Sequence, residues 1–159
     1  MNDVRELLAA AIAEARTVAI LGCGSQLLGD DAAGWRIAER LSGLGGNARA
    51  FCGGTAPENF TGEIKRFHPD TLLVIDAADI GRAPGTVELI PPETVTGATF
   101  STHMLPLNVM LDYLRRETGC RIHLLGIQAA SLEFGEEMTA AVNAAVDAVV
   151  SALLGLLGN

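Results

Sequence analysis

The stretch Val18-Ala-Ile-Leu-Gly22-Cys-Gly24-Ser-Gln-Leu-Leu-Gly29-Asp30-Asp31-Ala-Ala-Gly34 decides the fold. Val18 to Leu21 are an apolar run that stops at Gly22, the pattern of a strand buried on both faces, as in a parallel sheet. Gly22 and Gly24 then permit a tight turn. Beyond Gly29, Asp30 and Asp31, the residues Ala33, Ile37, Ala38 and Leu41 recur at the spacing of a helix with one apolar face. Two carboxylates therefore fall between the carboxyl end of a strand and the amino end of a helix, where open α/β sheets bind their ligands.

Residues 1–16 read as an N-terminal helix rather than a targeting segment, because Arg5 is flanked by Asp3 and Glu6 and the short apolar stretch Leu7 to Ala13 is closed by Glu14. Val4, Leu7, Leu8, Ala11, Ile12 and Ala15 share one face of it. Asn47 to Phe51 makes a short strand ended by Cys52-Gly53-Gly54. Thr55-Ala-Pro-Glu58 has the form of a capping box with Pro57 in the first turn, and His68-Pro69-Asp70 closes the helix that follows. Thr71 to Ile75 is the second strongly apolar strand, and it is expected to end at Asp76. Gly85 to Ile90 alternates in polarity and meets Pro91-Pro92, which suits an edge strand. Thr94 to Leu105 is a largely polar loop containing His103, Pro106 opens a helix with Leu107, Met110, Leu111 and Leu114 facing inward, and Arg121 to Ile127 is the last strand.

Met138 to Leu157 is apolar enough to raise the question of a membrane span. Asn143, Asp147 and Ser151 recur along it every four residues as a single polar stripe, so it reads as a helix packed against the sheet, without membrane insertion. The order of elements predicts an α/β three-layer sandwich: a twisted, mainly parallel sheet with one antiparallel edge strand and helices on both faces. The whole of 1–159 is expected to form one domain, with no internal repeat or linker.

With 49% hydrophobic and 19% charged residues over 159 positions, the chain has the composition of a folded domain. Its formal charge of −8, with 11 Lys and Arg scattered along the length, argues against a nucleic-acid binder and suits a basic partner better. Cys23, Cys52 and Cys120 are odd in number and form no CxxC pair, which suits a reducing, cytoplasmic setting and no zinc knuckle.

Asp31, Asp76 and His103 are the candidate site. The aspartates follow the two most apolar strands, so if those strands are neighbours both carboxylates open into one crevice, and the loop bearing His103 can close over it. Two carboxylates and an imidazole suit a borderline divalent metal such as nickel or zinc, with positions left open. Each residue also has a plainer role. One of Asp30 and Asp31 can cap the following helix; the expectation gives Asp30 that task and leaves Asp31 for ligation. Asp76 is equally a turn former, since Asp76-Ala-Ala-Asp79 is followed by Gly81, and an isolated loop histidine is more often structural. His68 and His123 fall away from the crevice. Cys23 lacks a sequence-adjacent base and reads as a small residue rather than a nucleophile. Gly22-x-Gly24 invites a dinucleotide-binding reading, but the third glycine would fall at Leu27 and the acidic pair would repel a pyrophosphate.

With these residues in place, the chain resembles the hydrogenase maturation endopeptidases, which trim the C-terminal tail of NiFe hydrogenase large subunits, and within them the branch acting on the hydrogenase of formate hydrogenlyase. The resemblance runs from Thr17 to near the end and rests on Leu21-Gly-Cys-Gly-Ser-Gln-Leu-Leu-Gly-Asp-Asp31, Gly53-Gly-Thr-Ala-Pro-Glu-Asn59, Leu72-Leu-Val-Ile-Asp76-Ala-Ala-Asp79, Thr102-His103-Met-Leu-Pro-Leu-Asn108 and Leu125-Gly-Ile-Gln128. It implies that Asp31, Asp76 and His103 contact nickel carried by the precursor, a position that zinc or cadmium can occupy in vitro. It further implies that the partner is the large-subunit precursor; a monomer is the default expectation. Ser25 stands where the family usually has Asn, and Ala129 where many members have Pro; both bear on loop geometry rather than on a ligand. A chaperone that holds the precursor without cutting it, or a nucleotide-binding domain, are the competing expectations.

Overall fold

The computed structural model describes residues 3–91 and 104–158. Strands β1 (Val18–Cys23), β2 (Ala48–Gly54), β3 (Thr71–Ala78), β4 (Val87–Ile90) and β5 (Arg121–Gln128) form one sheet in the order β2-β1-β3-β5-β4. β1 pairs in parallel with both β2 and β3, β3 pairs in parallel with β5, and β4 runs antiparallel along the edge of β5. Every residue of β1 and β3 is buried, which is why both read as unbroken apolar runs rather than as alternating ones. The expected α/β sandwich with one antiparallel edge strand is the architecture observed.

Helices α1 (Val4–Ile12), α2 (Ala33–Arg40) and α5 (Ala140–Leu157) cover one face, and α3 (Thr61–Phe67) and α4 (Met104–Thr118) cover the other. Val18, Ile20, Leu73, Ile75, Leu125 and Ile127 point into the first layer, against Leu8, Ile37, Val146 and Leu153. Their neighbours Ala19, Leu21, Leu72, Val74 and Leu124 point into the second, against Ile64, Met110, Leu111 and Leu114. α5 is long and apolar enough to cross a membrane by composition. Its apolar side lies in the core, however, while Asn143, Asp147 and Ser151 are exposed, as the polar stripe requires.

Three local expectations are corrected. β3 continues to Ala78, so Asp76 lies within a strand, opposite Gly126 of β5, and the turn is made instead by Asp79, whose Oδ1 accepts from the Gly81 amide at 3.4 Å. The capping box at Thr55 does not form: Pro57–Phe60 is a 3₁₀ turn with Ala56 at its start and no side-chain cap, and α3 begins at Thr61. α4 starts at Met104 rather than Pro106, which places the proline in the first turn, where its missing N–H has no intrahelical partner in any case. His68 ends α3 in the left-handed conformation at φ 54°, as the His-Pro-Asp signal anticipates.

Two glycines set the distance between α2 and the sheet. A Cβ on Gly22 would fall on the Gly34 carbonyl oxygen and 2.8 Å from Ala38 Cβ, and one on Gly34 would fall on the Ile75 carbonyl and 2.5 Å from that of Cys23. The helix therefore starts in direct contact with the carboxyl ends of β1 and β3. Because backbone cannot yield as a side-chain tip can, Gly22→Ala should destabilise the fold by about 2–4 kcal/mol. Gly43→Ala, where an added Cβ meets nothing within 4 Å, should stay within about 0.5 kcal/mol. Urea unfolding of the two variants checks the contrast.

Candidate active site

β1 and β3 lie side by side in parallel at the point where the strand order reverses direction, so their carboxyl ends border the crevice typical of open α/β folds. Asp31 reaches it from the 3₁₀ turn Gly29–Ala32, and Asp76 from β3 itself. Gly24 sits between them. A Cβ there would fall on the Asp31 carbonyl oxygen and 3.3 Å from Asp76 Oδ1, at a φ of 120° that glycine alone adopts comfortably. Both carboxylates are almost fully buried, Asp31 at 0% and Asp76 at 1% exposure, and each is oriented by a backbone amide. Ser25 N donates to Asp31 Oδ2 at 2.7 Å, and Ala77 N donates to Asp76 Oδ1 at 2.8 Å. The neighbouring strands thus bring the two predicted aspartates together. His103 lies outside the described residues; α4, whose first residue follows it in sequence, packs on the sheet face that carries Val74 and Ala78.

The role of Asp30 differs from that expected. Asp30 does not cap its own helix, since neither the 3₁₀ turn nor α2 has a side-chain cap. It is instead a buried hub for a distant loop. Its Oδ2 accepts from Ala130 N at 2.8 Å and Ser131 N at 3.1 Å, and its Oδ1 from Thr139 N at 2.7 Å, with Thr139 Oγ1 donating as well. Asp31, left for ligation in the sequence reading, already carries the Ser25 amide.

Gln128, at the end of β5, closes the Leu125-Gly-Ile-Gln128 motif and also organises the loop after β3. Its Oε1 accepts from Ile80 N at 2.7 Å, and its Nε2 donates to the Ala129 carbonyl at 3.0 Å. The signal available was a buried amide closing an otherwise apolar strand, since such a group needs partners. The two departures from family usage fit the backbone: Ser25 Oγ accepts from Leu27 N at 3.1 Å, a turn that Asn can also make, while Ala129 N donates to the Ala78 carbonyl at 3.2 Å, which proline cannot do.

Cys23 lies beside the same site, in surroundings that disfavour a nucleophilic thiolate. Burial pushes its thiol well above the ordinary range, and the charges of Asp76, Asp31 and Glu58 push it further. A thiolate there would be both desolvated and repelled. The turn that might have cradled a pyrophosphate is filled by the Asp31 backbone and faced by Asp76, so the nucleotide reading fails. His68 is exposed and His123 half-buried in the first half of β5, away from the crevice as expected.

An α/β protein with paired buried carboxylates at the switch point of its sheet is the class these observations define. The description "Hydrogenase maturation protease" belongs to the family whose model matches residues 36–156. The chain is 36% identical over 145 residues to the hydrogenase 3 maturation protease of Escherichia coli, covering 90% of this chain and 92% of that one. Its fold superposes with a TM-score of 0.86 on the NiFe hydrogenase maturation protease HycI of Thermococcus kodakarensis, at 30% identity over 96% of this chain and 99% of that one. The hydrogenase maturating endopeptidase HybD of E. coli gives 0.71 at 30% identity, over 89% and 91% of the two chains. The chain belongs to the hydrogenase maturation protease family and is an endopeptidase, which sets aside the holding-only chaperone.

Replacing Asp30 with Ala would strand four donors at once. Asp30→Ala should therefore lose about 3–5 kcal/mol in urea unfolding, with faster hydrogen exchange at Ala130, Ser131 and Thr139. Cys23→Ala should keep cleavage within about threefold of the parent rate, since a side chain outside the chemistry acts only through packing; a loss of several orders of magnitude would restore the thiol as nucleophile. Burial and the nearby Arg121 hold His123 below its ordinary value of 6.5. Its neutral form is favoured in the fold, so this contribution is complete above the unfolded pKa and is lost as pH falls from there through the lower folded pKa. The stability decline from pH 7 to 5 should be shallower in His123→Gln.

Proposed function

We propose that this endopeptidase removes the C-terminal extension of a NiFe hydrogenase large-subunit precursor that already carries nickel. The nickel is part of the substrate. Asp31, Asp76 and His103 complete its coordination, which places the scissile bond beside the crevice and makes binding report that the precursor is loaded. Two carboxylates and one imidazole match the preference of such an ion. The observation that carries the reading is that the Asp31 backbone and the Asp76 carboxylate both border Gly24, each carboxylate held by a backbone amide and both near enough to act on the Cys23 thiol. Amide hydrogen bonds of this kind commonly orient ligating carboxylates.

A water molecule is the attacking group in this reading, since the Cys23 thiol is held protonated. Its proton goes either to the aspartate pair or is released by acidification on the metal. The protein acts as a cytoplasmic monomer, and zinc or cadmium can take the nickel position in vitro.

Intact mass spectrometry of nickel-loaded and nickel-free precursor, incubated with a catalytic amount of the protein, tests the proposal. Loss of a C-terminal peptide is expected only from loaded precursor, with rates reduced at least about a hundredfold in Asp31→Ala, Asp76→Ala and His103→Ala. Equal cleavage of nickel-free precursor, or an unchanged rate in His103→Ala, would overturn the nickel-guided reading.

A further inference from the structure

Two loops at the carboxyl edge of the sheet carry large apolar side chains into solvent. Leu27 is 61% exposed on the loop after β1, and Phe134 is 76% and Leu132 39% exposed on the loop after β5. The loops are fastened to each other. Gly135 N donates to the Leu27 carbonyl at 2.9 Å, Asp30 N donates to the Ser131 carbonyl at 2.9 Å, and the Asp30 carboxylate takes the amides of Ala130, Ser131 and Thr139. A Ser131 Oγ to Glu136 Oε2 hydrogen bond of 2.7 Å closes the second loop on itself. These loops adjoin the crevice, because Ser25, two residues before Leu27, donates to Asp31. An exposed aromatic on a loop held by so many hydrogen bonds is already ordered before anything binds, which lowers the entropic cost of using it as an anchor.

The charged residues next to these side chains in sequence are all acidic. Glu133, Glu136 and Glu137 alternate with them, no Lys or Arg occurs after Arg121, and none lies between Arg16 and Arg36. An apolar anchor among carboxylates selects a cationic, apolar segment and disfavours both acidic surfaces and a second copy of this acidic chain.

We propose that Leu27, Leu132 and Phe134, with Glu133 and Glu137, form the surface on which the precursor docks through a segment bearing an apolar side chain flanked by Lys or Arg. This inference rests on the reading that the substrate is a hydrogenase precursor. The surface is separate from the carboxylate pair, so it contributes affinity and register rather than bond cleavage.

The test is steady-state cleavage of nickel-loaded precursor by the full-length protein and two surface variants, Phe134→Ser and the double change Glu133→Lys, Glu137→Lys. These side chains are exposed, and a thermal melt matching that of the parent establishes that both variants fold. Phe134→Ser should raise KM by about 10- to 100-fold with kcat within about twofold. The double variant should lower kcat/KM by about tenfold at low salt and flatten its salt dependence. Parental KM in both variants would overturn the docking surface, even where cleavage remains nickel-dependent. Conversely, a raised KM with equal cleavage of nickel-free precursor would leave the docking surface standing and remove the nickel handle. Sedimentation that shows a dimer converted to monomer by Phe134→Ser would assign the patch to a second copy and also overturn the proposal.

Discussion

Gly22 and Gly34 face each other with no side chain between them, and the position of everything at the carboxyl edge of the sheet follows from that contact. A helix resting on a sheet through ordinary side chains stands about 10 Å away. Here α2 starts against the Cys23 and Ile75 carbonyls, so the turn before it is drawn over the ends of β1 and β3. Asp31 lies in that turn. Its approach to Asp76 is thus a consequence of backbone contact rather than of any attraction between two carboxylates, which would oppose it.

The adjacent aspartates divide the work of the site. Asp30 turns away from the crevice and gathers amides from the start of the loop after β5 and from Thr139, which begins α5. Asp31 accepts the Ser25 amide of the turn after β1. Rotating one residue along a 3₁₀ turn moves a side chain by roughly 120°, so neighbouring positions serve different surroundings. The buried charge of Asp30 is compensated by its donors, and that compensation makes three distant segments behave as one body. The site borrows its rigidity from this network: the loop carrying Leu27 is braced by the loop carrying Phe134, and both are tied to the turn that presents Asp31.

Burial explains why the thiol nearest the site is inert. Cys23 shares its surroundings with Asp31, Asp76 and Glu58, and an environment that gathers carboxylates raises the cost of a thiolate. The chain's formal net charge of −8 likewise disfavours contact with the phosphate backbone of nucleic acid.

The amino-acid sequence by itself determined the strands, the helices and the candidate carboxylates. Residues buried on both faces must be apolar without interruption, which exposes Val18–Leu21 and Leu72–Ile75 to a reader of periodicity, and the polar stripe of α5 is equally local. Tertiary structure decided what depends on partners far along the chain. That β1 lies beside β3 follows from pairing across more than fifty residues, and only this adjacency makes Asp31 and Asp76 a pair. Asp30 looked like a local cap because its true donors lie about a hundred residues away. Asp76 also read as a turn residue because an acidic side chain is unfavourable in a central strand, and only the pairing of β3 with β5 as far as Ala78 and Gln128 places it inside the sheet. Local propensity reads the energy of a residue in its own segment, whereas hydrogen-bond partners and strand neighbours exist only once the chain has closed on itself.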